Sequence, residues 1–375
     1  MGVVKELYMF IIRVYALFLE RVSQRNKIVF IASFGDNCVP VANELYKRFP
    51  QRQVIVLYES SATVALKELN PSIRSMRCDG WHIFYCVPSL VSAQKIVIDN
   101  YFAFLGALPK RATCECIQVW HANGAIKTFG SENKANVNRS LADKQRFAKV
   151  YDYTDSYVVG SDQMMAIFGR SLAATSKKKL PFGLPRTDAY FDLEKMSDLK
   201  KKIRARYQVS STKKLLLYAP TYRNNNEIAL DIDLLRQEHQ HQALLLIKLH
   251  PRVAQGNLIE DDFVKIVPVS DDIRTYYPAA DLIISDYSSI PFEVSLLAKV
   301  PQMLFYCYDQ QEYDSLQGLQ PSWKKMLPGK IVTTTAQVSR AIAIPETFDF
   351  QSYNQRWNQY TVGEAVSKLS TYLAS

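Results

Sequence analysis

The sequence predicts an α/β protein of two doubly wound, Rossmann-like domains preceded by an amphipathic helix. Three observations predict this. The chain has 375 residues, too many for one ordinary core and well suited to two. Short continuous apolar runs alternate with helical stretches, the pattern of buried parallel strands and their crossovers. That alternation stops at a basic, turn-rich stretch over residues 177–185 and then starts again. With 48% hydrophobic and 22% charged residues the composition is globular, and no repeat of solenoid or propeller period is present.

Taken in order, residues 3–22 (VVKELYMFIIRVYALFLERV) read as a helix. The apolar run is too short and too charged for a membrane span, and no small-residue cleavage site follows it. Glu6, Arg13 and Glu20 recur at intervals of seven as one polar stripe, with cations at the margins. Such a helix suits an anionic membrane surface. Residues 1–24 are therefore set apart as a membrane-surface element, expected to be separable from the catalytic body. Met1-Gly2 is no myristoylation signal, because Glu6 stands where Ser or Thr is needed.

Residues 25–190 form the expected first domain. Runs at 27–33, 53–58, 82–87, 95–100, 117–120 and 156–160 read as strands, and 39–49 and 62–69 as helices. Residues 191–375 form the second, with strands at 214–219, 244–249, 264–267, 282–285 and 302–305. Six scattered cysteines make no disulfide framework. Cys114 and Cys116 are a lone C-x-C without the partner pair a zinc site needs, so they read as strand residues and no metal is expected. Reduced thiols suit the cytoplasm. The net charge of +10 is uneven: residues 1–190 hold 25 of the 46 Lys and Arg but only 15 of the 36 acids. A basic first half suits anionic lipid or a phosphorylated acceptor. No helix-turn-helix, zinc finger or RNP-like pattern supports nucleic acid.

Ligands of open α/β sheets bind beyond the carboxyl ends of the strands, and four motifs stand there. Trp120-His121-Ala122-Asn123-Gly124 follows a strand directly. Its small residues leave the His121 imidazole accessible as a general base, and Lys127 adds a cation beside a phosphate. Leu249-His250-Pro251-Arg252 offers two phosphate donors, His250 and Arg252, where another strand runs out. Ala219-Pro220-Thr221-Tyr222-Arg223 offers the Thr221 hydroxyl and the Arg223 guanidinium at the same sheet edge. In Ser285-Asp286-Tyr287-Ser288-Ser289-Ile290-Pro291-Phe292-Glu293 a strand turns into a helix. There Ser288 or Ser289 would cap the helix, its N–H groups would face a phosphate, and Glu293 could hold ribose hydroxyls. Taken singly, each also fits a structural histidine or an ordinary capped helix.

Other chemistries fall away. There is no G-x-x-x-x-G-K-[ST], which speaks against a P-loop ATPase, and no G-x-G-x-x-G after the first strand, which speaks against NAD. Asp231-Ile232-Asp233 has helical flanks rather than the setting of a metal–nucleotide site. His239 and His241 read as solvated loop residues.

The four motifs together resemble the CDP-glycerol glycerophosphotransferase family of wall teichoic acid synthesis, over roughly residues 25–345 and in the family's order. Trp120-His121 is similar to its Trp-His-Gly segment, and Tyr218-Ala219-Pro220-Thr221-Tyr222-Arg223 to its Tyr-Ala-Pro-Thr-Trp/Tyr-Arg stretch. His250-Pro251 and Ser285–Ser289 match two further signatures. Gly183-Leu184-Pro185-Arg186-Thr187-Asp188 resembles its Gly-x-Pro-Arg-x-Asp element. One departure is informative: Ala-Asn-Gly follows His121 where polymerising members carry Gly-Thr-Pro, a form more like the primase branch.

The resemblance implies a GT-B-like fold, with two domains facing a nucleotide cleft, acceptor on the first and CDP-glycerol on the second. It implies His121 and His250 as catalytic residues. Thr221, Arg223, Arg252, Ser288, Ser289 and Glu293 would bind the donor and its phosphates, and Asn123, Gly124 and Lys127 would lie on the acceptor side. The implied reaction moves one glycerol phosphate from CDP-glycerol, a substrate rather than a cofactor, to a lipid-linked disaccharide, with release of CMP. It would take place peripherally, at the cytoplasmic face of the membrane. The alternatives are a poly(glycerol phosphate) polymerase or extender, a GT-B glycosyltransferase using a UDP-sugar, and a scaffold with a decayed nucleotide site.

Overall fold

The computed structural model describes residues 2–19, 21, 26–136, 139–223, 228–249 and 258–375. The chain divides into two compact units. One comprises Met1–Asn123, Phe129–Asp188 and Trp357–Ser375, the other Gly124–Thr128 and Ala189–Arg356.

The first unit opens with α1 (Gly2–Phe18) and β1 (Lys27–Ala32), followed by α2 (Val39–Arg48), β2 (Gln53–Tyr58), β3 (Arg74–Arg77) and α3 (Ile83–Val91). It continues through β4 (Lys95–Ile98), β5 (Glu115–Gln118), α4 (Leu141–Tyr153), β6 (Ser156–Val158), α5 (Asp162–Ser171) and β7 (Lys178–Leu180). Its seven strands are parallel, in the order β3-β2-β1-β4-β5-β6-β7. Strand side chains alternate between faces, so the apolar runs split into two cores. Val29, Ile31, Ile55, Leu57, Ile96 and Ile98 pack with α1 and α3. Ile28, Phe30, Val54, Val56, Val97 and Ile117 pack with α2 on the other face.

The second unit holds α6 (Leu193–Arg206), β8 (Lys214–Tyr218), α7 (Ile232–His239), β9 (Ala243–Ile247), β10 (Val264–Ile266), β11 (Leu282–Ser285) and α8 (Ile290–Val294). After these come β12 (Gln302–Tyr306), α9 (Gln310–Leu316), β13 (Lys330–Val332), α10 (Thr335–Ala343) and α11 (Phe350–Trp357). Its six parallel strands run β10-β9-β8-β11-β12-β13. Asp231 caps α7 by accepting from the Leu234 amide at 3.0 Å, which accounts for the D-x-D.

Several expectations are corrected. Residues 82–87, expected as a strand, hold the end of a 3₁₀ turn and the start of α3: Ile83, Cys86, Val87, Leu90 and Val91 are buried at helical spacing, which a short apolar run disguises. Residues 62–69 form 3₁₀ turns. The unforeseen strands β3 and β7 lie at the two edges of the first sheet, where one neighbour suffices and basic residues deter further pairing. Part of the basic excess is thus sheet-edge charge: Arg74, Arg77, Lys178 and Lys179. His239 is buried, its Nε2 lying 2.6 Å from the Ser339 hydroxyl. All six cysteines are buried free thiols.

The α1 helix belongs to the first unit rather than standing apart, because Ile12 and Ala16 are completely buried in its core. Its opposite face is apolar and open, with Leu7 58%, Phe10 61% and Phe18 81% exposed. Among the described residues no helix is long and apolar enough to cross a membrane.

The second domain expected at 191–375 ends earlier in the structure. Residues 357–375 return to the first unit, where α12 (Ala365–Ala374) buries Leu369 and Leu373 against the α2 side of the sheet. Conversely, Gly124–Thr128 leaves the first unit for the second. The Ile126 carbonyl accepts from Gln320 at 2.8 Å and the Thr128 amide donates to Gly318 at 3.0 Å. Gly124 is required there, since a Cβ would stand 2.6 Å from the Phe292 ring.

Candidate active site

Strand order in the first unit places the ends of β1, β4 and β5 side by side, and His121 emerges there. Gln118 ends β5, and the chain then turns through Trp120, whose φ of +54° is left-handed. That conformation costs a bulky residue roughly 1–3 kcal/mol and persists only when its surroundings impose it. Here the Trp120 amide donates to Gln118 Oε1 at 2.8 Å and its carbonyl accepts from Asn37 Nδ2 at 2.9 Å. The turn sets the His121 ring in a stack, with Trp120 at 4.2 Å and Phe34 at 4.4 Å between centroids.

His121 Nδ1 lies 3.1 Å from the backbone carbonyl of Asp99. A carbonyl can only accept, so Nδ1 carries the proton and Nε2 the lone pair. Asp99 is itself held: its carboxylate accepts from the Ser33, Phe34 and Gly35 amides at 2.8, 3.0 and 2.7 Å. Burial pushes this carboxyl up to about 6 despite the three donors, and Asp36 adds to the rise. Arg186 braces the segment from the other side, donating to the His121 carbonyl at 2.8 Å and pairing with Asp36 at 2.8 Å. Asp188 accepts from the Ala365 and Val366 amides at 3.0 and 2.8 Å, tying down the start of α12. The Gly-x-Pro-Arg-x-Asp element thus supports the histidine and anchors the returning helix.

In the second unit β8 lies between β9 and β11, so three of the sequence motifs leave adjacent strands. Asp286, after β11, ties the motif that follows β8 to its own. It is 2% exposed and accepts from the Thr221 amide at 3.0 Å, the Thr221 hydroxyl at 2.9 Å and Arg223 at 3.0 Å. Arg223 also pairs with Asp309 at 2.6 Å and lies 4.4 Å from the Tyr313 ring centroid. Burial raises the Asp286 carboxyl and Arg223 opposes that rise. Lys127 is solvent-exposed, yet the surrounding protein lowers its ammonium pKa, with Asp286 acting in the opposite sense. Ser288 Oγ shares a hydrogen bond of 2.8 Å with Ser285 and accepts from the Ile290 amide at 3.3 Å.

These placements revise several sequence expectations. Lys127 and Gly124, expected beside the acceptor, belong to the second unit with Asp286. Asn123 is fully buried and donates to Asn358 at 3.0 Å. Thr221 and Arg223 are engaged by Asp286 and Asp309. Ser289 is the N-cap residue of α8 but makes no side-chain cap bond, and α8 has only five residues, too few for a strong dipole. Pro291 does sit in the first turn. Glu293 is 3% exposed and accepts from the Tyr190 hydroxyl at 2.9 Å. His250 and Arg252 lie outside the described residues. Among the described residues, no three His, Cys, Asp or Glu gather as a metal site would require. Sequence reasoning missed Asp99, Phe34 and Asp309, and placed Arg186 in the Gly-x-Pro-Arg-x-Asp element without a site role. Only Asp99, closing an apolar strand run, carried a local signal.

Residues 13–375 match the family described as CDP-Glycerol:Poly(glycerophosphate) glycerophosphotransferase. The chain is 34% identical over 377 residues to the teichoic acid glycerol-phosphate primase of Bacillus spizizenii strain W23, covering 98% of this chain and 97% of that protein. It is 32% identical to the Staphylococcus aureus protein of the same name, covering 98% and 99%. Among solved structures, the wall teichoic acid polymerase TagF superposes with a TM-score of 0.77 at 18% identity, covering 99% of this chain and 95% of that one. Staphylococcus aureus MnaA with UDP superposes with a TM-score of 0.61 at 14% identity, covering 92% and 95%. At these identities the structural likeness concerns the fold, which is GT-B-like.

Proposed function

The chain belongs to the CDP-glycerol:poly(glycerophosphate) glycerophosphotransferase family and is a transferase; from that premise we propose that it is a primase. It adds one glycerol phosphate from CDP-glycerol to a hydroxyl of an undecaprenyl-diphosphate-linked N-acetylmannosaminyl-N-acetylglucosamine and releases CMP. CDP-glycerol is a substrate in this reading, which calls for no cofactor or metal. The observation that carries it is the His121 imidazole, fixed by the Asp99 carbonyl with the Nε2 lone pair as its base.

His121 Nε2 takes the acceptor's hydroxyl proton as that oxygen bonds to the phosphorus bearing glycerol. The bond from this phosphorus to the bridging oxygen breaks, and CMP leaves with the electron pair. Lys127, Ser288 and Ser289 donate to the pyrophosphate, joined by His250 and Arg252 from the segment after β9. Thr221 and Arg223 hold these loops in place through Asp286. The open apolar face of α1 supports a peripheral position at the cytoplasmic face of the membrane.

The test is mass spectrometry of product formed from excess CDP-glycerol and the lipid-linked disaccharide. A gain of one unit is expected. A ladder of products would make the protein a polymerase, and reaction only with an already primed acceptor would make it an extender.

A further inference from the structure

The first unit contains a second feature that its histidine does not use. A cavity of about 360 Å³ opens beside α4, between that helix, the Gly130–Asn136 segment and Ala173. Its wall is a stripe on α4. Lys144, Phe147, Ala148 and Tyr151 stand at positions i, i+3, i+4 and i+7, the spacing that normally marks a helix face turned toward a core. Here that face lines an opening instead, and Ala148 is exposed. Tyr101 backs the wall, its ring 4.7 Å from Phe147.

Cations stand at the Arg139 end of this wall, while Asp152, which also lines the cavity, pairs its carboxylate with Lys177 at 3.7 Å. The Arg139 guanidinium lies 4.9 Å from the Phe147 ring centroid, and Lys144 is one turn before that ring on α4. Lys177 lines the cavity as well, held by the Asp152 carbonyl at 2.9 Å. An aromatic and alanine wall with cations at its edge complements an apolar chain ending in phosphate. A bare anion would leave the wall unused, and a neutral apolar ligand would leave the cations unused.

The cavity also connects to the histidine through packed neighbours. Gly130 lines it, and Phe129, the preceding residue, packs 4.8 Å from Trp120, the residue that sets the His121 ring. Tyr101 is two residues beyond Asp99, whose carbonyl holds His121.

We infer that this cavity binds an amphipathic phosphate, with the apolar chain on Phe147, Ala148 and Tyr151 and the phosphate oxygens at Arg139 and Lys144. Resting on the reading of a lipid-linked acceptor, it assigns the site to that acceptor's prenyl diphosphate end.

Calorimetry with the full-length protein tests this, using farnesyl diphosphate as the probe. The wild type should bind it, and Phe147→Ala and Lys144→Glu should each weaken binding at least about tenfold. Lys144 is exposed, so its variant keeps the test valid if Phe147→Ala fails to fold, and thermal denaturation serves as the fold control. Inorganic diphosphate and farnesol should each bind more weakly than the intact probe. Unchanged affinity in both variants, or equal binding of inorganic diphosphate, would overturn the site. Equal binding of dihexanoyl phosphatidylglycerol would make it a headgroup site and overturn the acceptor assignment. Binding of farnesyl diphosphate without any glycerol phosphate transfer by the wild type would sink the proposed function and leave the cavity's chemistry standing.

Discussion

Nδ1 of His121 donates to the backbone carbonyl of Asp99 across 3.1 Å, so the tautomer of the candidate base is set by the main chain after a neighbouring strand rather than by a side chain. A backbone acceptor cannot titrate. The imidazole therefore keeps one tautomer wherever it is neutral, with Nε2 as its base.

His121→Ala should lower kcat by roughly two to four orders of magnitude and leave CDP-glycerol affinity within a few-fold, because a base acts on the chemical step. Steady-state kinetics with a binding isotherm check both. Retention of more than about a tenth of the parental rate would remove the base assignment.

Lys127→Ala and Ser288→Ala should weaken CMP binding, each by about 1–3 kcal/mol as charge-assisted or polar donors are lost. Calorimetry with CMP measures this directly. If Lys127→Ala instead raised KM for the acceptor alone, Lys127 would belong with the acceptor despite its position beside Asp286.

Arg223→Ala should destabilise the second unit by about 3–5 kcal/mol, since it strands the buried carboxylates of Asp286 and Asp309. Urea denaturation reads the loss. A variant as stable as the parent but defective in CMP binding would show that Arg223 serves the ligand rather than the scaffold.

Asp99 makes stability depend on pH in a defined direction. Its carboxyl is raised by burial to about 6, whereas an unfolded aspartate titrates near 3.9 as a rough reference. Between those values the folded protein keeps a proton that the unfolded chain has released. Its contribution to stability therefore falls as pH rises through this window, by roughly 3 kcal/mol in all, and is flat above it. The stability advantage of the parent over Asp99→Asn should shrink from pH 4.5 to pH 7.5 in urea titrations. A constant or widening gap would refute the raised carboxyl.

The two faces of α1 should separate experimentally. Replacing Leu7, Phe10 and Phe18 with serine should abolish sedimentation with anionic liposomes and leave thermal stability nearly unchanged, since all three are exposed. Ile12→Ala should cost about 2–5 kcal/mol and leave liposome binding intact, because Ile12 fills the core. Liposome binding that survives the triple serine variant would place membrane contact elsewhere.

The sequence by itself determined the elements whose signal is local. Continuous apolar runs of Val, Ile and Leu specify β1, β2, β4, β8, β9, β11 and β12, because strands buried on both faces admit nothing else. The candidate site residues follow strand runs closely, so His121, Thr221 and Ser288 could be assigned to strand ends without coordinates. The edge strands β3 and β7 escaped because an edge tolerates charge, and α3 escaped because a short apolar run has no unambiguous period.

Tertiary structure decided the rest. Asp99 reaches His121 because β4 lies between β1 and β5, and Arg186 reaches it from 65 residues away. Asp309 meets Arg223 only because the end of β12 lies beside that of β11, next to β8. The passage of Gly124–Thr128 and of residues 357–375 between units depends on which surface offers Gly124 the Phe292 ring and Leu369 a core. Strand order and docking are long-range outcomes of packing, whereas periodicity reports only which face of one element is apolar.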